Sequence, residues 1–277
     1  MYLVEIYRPY NCPGVHVRIL LSNDDGIYAP GLGILAKVLS EKHDVYVVAP
    51  DRQRSATGHS LTLHKPLRVQ QVDLAEQVKG AWSTTGTPSD CVKLAIAQLL
   101  PEKPDLVISG VNAGPNLGSD VLYSGTVAAA MEAAFLDFPS IAVSAEKGEI
   151  RVYTRAAQFV LAFIEHYGSD FSWRSHRSFL NINVPAAGDS QVKGARMCEL
   201  GLRIYNDSFE KRSDPMGRDY YWLSGHAVLE GEAPDSDVCA ISEGFISLTP
   251  VTFNMTDKQV TERLSSSKRF NEFIQSL

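Results

Sequence analysis

The chain predicts an α/β fold: a doubly wound, mainly parallel sheet as the middle of three layers, with a C-terminal hairpin-and-helix extension. Three observations predict it. Short aliphatic runs of the kind that become strands buried on both faces recur at residues 18–21, 44–50, 105–109, 141–144 and 179–185. Stretches suited to helices separate most of them, and strands alternating with helices over this length pair in parallel. The first three runs each break into a polar, glycine-containing loop, and loops at strand ends are where function concentrates.

Residues 18–21 stop at Ser22-Asn23-Asp24-Asp25-Gly26, so two adjacent carboxylates stand where a strand ends. Pro30 and Gly31 then open a helix whose Leu32, Leu35 and Leu39 share a face. The second strand, 44–50, is closed by Pro50 and leads into the polar loop 51–60, which carries Ser55. Leu61-Thr62-Leu63 and Leu67-Arg68-Val69 alternate in the manner of exposed strands. After a short strand at Trp82, Thr87 fits as N-cap, Pro88 as first helical residue and Asp90 as first-turn acid of a helix ended by Pro101 and Pro104.

The third strand, 105–109, runs into the loop 110–120 with Asn112 and Asn116. Ser124, Gly125 and Thr126 then precede an alanine-rich helix over 127–134. Free backbone N–H groups and the positive dipole end make such a position an anion site. A strand at 141–144, a helix at 153–167 and a strand at 179–185 complete the core. Beyond Pro185 the pattern changes. Segments 202–205 and 220–223 read as hairpin strands, 241–249 as a strand and 257–277 as a terminal helix. The division expected is an extension at 1–16, a core at 17–185 and a C-terminal segment at 186–277 that packs on the core or on a neighbour.

With 277 residues, 44% of them hydrophobic, the chain can bury a full core. Its net charge of −6 argues against binding a nucleic-acid polymer, which calls for clustered Lys and Arg. No apolar run approaches the ~20 residues that span a bilayer, so no membrane partner is expected. The first 17 residues lack the apolar stretch of a secretory signal. Cys12, Cys91, Cys198 and Cys239 show no CxxC spacing, which fits a reducing cytoplasm and no structural zinc.

Parallel strands present their carboxyl ends along one edge, where open α/β sheets bind ligands. Asp24, Asp25, Ser55 and Asn112 all stand at such ends, and their hard oxygens suit one Mg²⁺ or Mn²⁺ per subunit. A divalent ion beside a helix N-terminus that holds phosphate is a layout for phosphoester hydrolysis, with Asp24 placed to accept the water's proton. Taken singly, the same residues are ordinary turn formers and caps; their convergence on one edge is what points to a site. His59, His64, His166, His176 and His226 show no metal-ligand spacing. Neither GxGxxG nor GxxxxGK[ST] occurs, so dinucleotide and P-loop chemistry are not expected. A sensor that binds nucleotide or polyphosphate without hydrolysis is a competing reading. A zinc deacetylase is another, and it would need histidine ligands near Asp24 and Asp25.

From residue 17 onward the sequence resembles the SurE family, the survival-protein 5'/3'-nucleotidases. The matching motifs are ILLSNDDGI (19–27), APDRQRSATGHSLTL (49–63), GTPSDCV (86–92), PDLVISGVNAGPNLGSDVLYSGTVAAAMEA (104–133) and, more loosely, SEGFISLTP (242–250). The resemblance implies a Rossmann-like fold and a metal-dependent phosphatase acting on nucleoside 5'- and 3'-monophosphates and on short polyphosphate. It carries over Asp24, Asp25, Ser55 and Asn112 as metal ligands, and Asn116, Ser124, Gly125 and Thr126 as groups facing the phosphate. It also implies a homodimer or homotetramer in which the C-terminal segment reaches a neighbour. The first 16 residues fall outside the pattern, since Val17 stands where members usually begin with Met.

Overall fold

The computed structural model describes residues 16–74, 77–167, 173–188, 191–206, 208–225, 227–228 and 231–276. The extension expected at 1–16 falls outside them except for its last residue, as do Cys12 and His226. In chain order, β1 (Arg18–Ser22) leads through α1 (Pro30–Ser40) to β2 (Asp44–Pro50), followed by β3 (Val69–Gln71) and β4 (Gly80–Thr84). Helix α2 (Pro88–Leu94), continued by a π-helical turn over Ala95–Leu99, leads to β5 (Leu106–Ala113). A 3-10 turn (Gly118–Leu122) and α3 (Gly125–Phe135) precede β6 (Ser140–Ala145), and α4 (Ile150–Tyr167) precedes β7 (Ser178–Val184). Then come β8 (Ala195–Met197), β9 (Ile204–Tyr205), β10 (Ser208–Ser213), β11 (Asp219–Ser224), β12 (Ala227–Val228), α5 (Asp237–Ser242), β13 (Ile246–Thr252), α6 (Lys258–Ser265) and α7 (Lys268–Gln275).

Among the described residues the central sheet has nine strands in the order β3-β4-β2-β1-β5-β6-β7-β13-β8. The six from β4 to β7 run parallel, as the buried aliphatic runs predict. Period-2 alternation assigns the faces. Ile19 and Leu21 point into the core beneath α1 and α4, while Leu20 joins Val92, Ala95, Ala129 and Ala133 of the opposite layer. Connections run from β1 toward β2 and from β5 toward β6, so the two directions part between β1 and β5, the place where such sheets bind ligands. The C-terminal segment adds β13, antiparallel to β7, and β8 to this sheet. Among the described residues no helix is long and apolar enough to cross a membrane.

Several element assignments are corrected by the structure. Residues 61–63 form no strand, because the Thr62 N–H donates to the Asp90 carboxylate at the start of α2 (3.1 Å) instead of to a neighbouring strand. The Asp90 position follows from the expected cap: Thr87 and Asp90 form a reciprocal capping box with Pro88 at the first turn. Segments 202–205 and 220–223 are not each other's partners. Tyr220 to Leu223 pair with Arg212 to Phe209, and Ile204–Tyr205 with β12. Ile241 and Ser242 end helix α5, which Ser236 caps, and Gly244 at φ +85° turns the chain into β13. The single terminal helix is two, α6 and α7, because Ser267 caps a new start.

One close approach fixes how α1 meets the site-bearing strand. A Cβ at Gly31 would fall 2.1 Å from the Val111 carbonyl oxygen, so the first turn of α1 lies directly on β5. Gly31→Ala is expected to destabilise the protein by about 1–3 kcal/mol through overpacking, despite alanine's better helix propensity. The midpoint of urea unfolding checks this; an unchanged midpoint would contradict the contact.

Candidate active site

The turn after β1 is built by Asn23. Its side chain donates to the Gly26 carbonyl (2.9 Å) and accepts from the Gly26 N–H (3.2 Å), and Gly26 sits at φ +103°. The Ile27 N–H then donates to the Pro50 carbonyl (2.8 Å), tying the turn to the end of β2. Between these anchors Asp24 and Asp25 are held toward different elements. The Thr126 hydroxyl donates to Asp24 Oδ1 at 2.5 Å, joining Asp24 to the first turn of α3. The Ala113 N–H donates to Asp25 Oδ2 at 3.1 Å, joining Asp25 to the end of β5.

Asp24 is buried and Asp25 half-buried, and among the described residues neither is ion-paired with a basic side chain. Burial pushes the Asp24 carboxyl above its ordinary value; the Thr126 hydroxyl opposes that shift and the Asp25 charge adds to it. Burial also raises Asp25, with the Ala113 N–H acting against it. Two neighbouring carboxylates, one buried and one half-buried and neither paired with a basic side chain among the described residues, have the electrostatics that favour a cation.

The remaining predicted residues are brought to the same edge by backbone links. Arg54, next to Ser55, donates its N–H to the Asp24 carbonyl (2.7 Å), and the Gly58 N–H donates to the Tyr123 carbonyl (3.1 Å) just before α3. Ser55 itself is exposed, its hydroxyl accepting from Gln53 Nε2 (2.8 Å). Asn112 is half-buried beside Ala113, and its side-chain amide donates to the Gly114 carbonyl (2.8 Å). Ser124 caps α3 by accepting from the Val127 N–H, and Gly125 lies against Asp24.

Asn116 is held differently. Its amide nitrogen donates to Ser144 Oγ (2.7 Å), and its backbone is gripped by the buried Asn183 and Asn181 of β7. The polar Asn-Ile-Asn alternation in β7 is the signal that sequence reading passed over. Among the described residues no three His, Cys, Asp or Glu side chains cluster to hold a metal. His59 pairs with Glu132 and His176 with Asp137, neither with Asp24 or Asp25.

These features define a doubly wound α/β protein whose switch-point crevice presents paired carboxylates beside a helix N-terminus. The family model described as "Survival protein SurE" matches residues 19–207. The chain is 52% identical over 242 residues to the 5'-nucleotidase SurE of Gloeobacter violaceus, covering 87% of this chain and 91% of that one. It is 47% identical over 249 residues to the 5'-nucleotidase SurE of Pelotomaculum thermopropionicum, covering 90% and 94%. The crystal structure of the SurE protein from Aquifex aeolicus superposes with a TM-score of 0.76 at 35% identity, over 89% of this chain and 97% of that one. The chain belongs to the SurE family.

Proposed function

We propose that the chain is a nucleotidase that hydrolyses nucleoside 5'-monophosphates to nucleoside and phosphate, with 3'-monophosphates and short polyphosphate as further substrates. The observation that carries the reading is the carboxylate pair of buried Asp24 and half-buried Asp25, with Thr126, at the N-terminus of α3, holding one Asp24 oxygen. The names of the relatives point the same way.

The donor set fits one Mg²⁺ or Mn²⁺: two desolvated carboxylates, with Ser55 and Asn112 near enough in the chain to the Asp24 and Asp25 contacts to add neutral oxygens. Such an ion supplies Lewis-acid polarisation of a phosphoryl oxygen and a lower pKa for water. The chain's own groups do the rest. Ser124, Gly125 and Thr126 offer the phosphate the start of α3, where the dipole favours negative charge. The Thr126 hydroxyl orients Asp24 at the edge where water would attack, which places it to take the water's proton. Asn116, whose side-chain nitrogen donates to Ser144, holds the loop that runs on to α3 and adds a group toward the phosphate.

The C-terminal segment supports a homodimer or homotetramer. Phe209, Tyr221, Trp222 and Leu223 of the β10–β11 hairpin are exposed, and neither α6 nor α7 buries a residue. Sedimentation of the full chain at two or more protomer masses is the expected result, with a single protomer mass contradicting it. For the activity, the test is inorganic phosphate release from AMP, 3'-AMP and tripolyphosphate with Mn²⁺ present. Release from AMP is expected; binding of AMP without release would return the sensor reading.

A further inference from the structure

Glu132 is a buried carboxylate that the reaction does not use. It lies on α3 and is 3% exposed. Two basic groups from different elements meet it: Lys93 Nζ, on α2, at 2.7 Å from Oε1, and His59 Nε2, on loop 51–60, at 2.7 Å from Oε2. The His59 ring also stacks on Phe135, one turn further along α3, with centroids 5.2 Å apart. Phe135 in turn meets the edge of Phe253, just past β13 (4.6 Å). Burial works against ionising Glu132, but the contacts with His59 and Lys93 outweigh it and hold the carboxyl below its ordinary value.

Loop 51–60 is otherwise exposed along much of its length, and it carries Ser55. Its links to the body upstream of His59 include the Arg54 and Gly58 backbone bonds and the Arg54 side chain on the Thr85 carbonyl. Position decides what His59 can do. Glu132 lies seven residues beyond Gly125, which at about 1.5 Å per residue is roughly 10 Å down the helix. The contacts of the His59 ring are with that part of the helix, at Glu132 and Phe135, and not with Asp24, Asp25 or Thr126 near its start.

We propose that His59 is a positioning residue: its contact with buried Glu132 anchors loop 51–60 to α3, so that Ser55 is held where the divalent ion binds. The part concerning Ser55 rests on the function proposed above; the anchoring itself does not. A charge-assisted hydrogen bond into a buried carboxylate, backed by ring stacking, restricts the loop more than its exposed polar residues can. Second-layer contacts of this kind set how well a metal ligand is presented.

The experiment compares His59→Ala, His59→Gln and Lys93→Ala in the full chain by hydrogen–deuterium exchange without metal, then by Mn²⁺ titration calorimetry. His59→Ala is expected to speed exchange in 51–60 by about tenfold or more. It should also weaken Mn²⁺ binding by about 10–100-fold. His59→Gln, which keeps an N–H for Glu132, should recover most of both. Lys93→Ala removes the other partner of the same carboxylate without touching the loop, and should leave exchange in 51–60 at the wild-type rate. Unchanged exchange in His59→Ala overturns the anchor, as does an equal rise in Lys93→Ala, which would make the cluster merely structural. Faster exchange with undiminished Mn²⁺ affinity overturns the role toward Ser55. Wild-type protein that takes up no Mn²⁺ would count against the proposed function, while the exchange comparison still decides the anchor.

Discussion

Asp24→Asn lowers phosphate release from AMP by more than about a hundredfold, because contacts one layer removed from a metal are already worth about 10–100-fold and Asp24 is expected to be a direct ligand. The fold should survive. Asparagine has the same shape and keeps an oxygen to accept the Thr126 hydroxyl, now at 2.5 Å from Asp24 Oδ1. It removes a charge that is 4% exposed and has no basic partner among the described residues, so the metal-free variant should melt no lower than wild type. Chelating divalent ions should cost the wild-type enzyme its activity to a similar extent. Added Mn²⁺ should restore the wild type and not the variant. Turnover of Asp24→Asn within about tenfold of wild type would remove Asp24 from the chemistry. A large loss of melting temperature alongside would instead assign Asp24 a structural role.

That carboxylate pair is legible in the sequence because its determinants are local. Asn23 and Gly26 make the turn within four residues, and a buried strand before them fixes which edge of the sheet they reach. Ser124 and Thr126 are legible for the same reason, since a cap and a helix start are written in adjacent positions. What sequence reading misses depends on partners far along the chain. Glu132 lies 73 positions from His59, and nothing in the GHS tripeptide announces a buried carboxylate on α3. In β7, Asn181 and Asn183 alternate with apolar residues as an exposed polar face would. Both are buried, and they grip the Asn116 backbone more than sixty positions upstream. Of the two alternating segments, 220–223 is a hairpin strand, in β11 against β10, while only Ile204–Tyr205 of 202–205 is in a strand, against β12; alternation alone does not say which strand pairs with which. In 237–249, an apolar run too short to show a period hid the change from helix to strand that Gly244 makes.

Gly125→Ala is the second substitution with a large expected effect, and its sign runs against propensity. On an open helix alanine would be favoured over glycine by about 0.5–1 kcal/mol. At Gly125, however, a Cβ would fall 2.7 Å from Asp24 Cβ and 3.0 Å from Asp24 Oδ2, nearer than real Cβ atoms pack. Asp24 is held by the Thr126 hydroxyl on the same turn, so the added methyl cannot be met by rotating the carboxylate away without breaking that bond. Either the start of α3 or the turn after β1 must move, separating the anion site from the carboxylates by some tenths of an ångström to an ångström. Misplacement on that scale costs about a hundredfold in rate, so kcat on AMP should fall by that order. Gly33→Ala serves as the control. It lies in α1 with nothing within 4 Å of the new methyl, and should raise stability by about 0.5–1 kcal/mol with activity unchanged. If Gly125→Ala behaves like Gly33→Ala in both melting temperature and kcat, the close seating of α3 on Asp24 is not what organises the site.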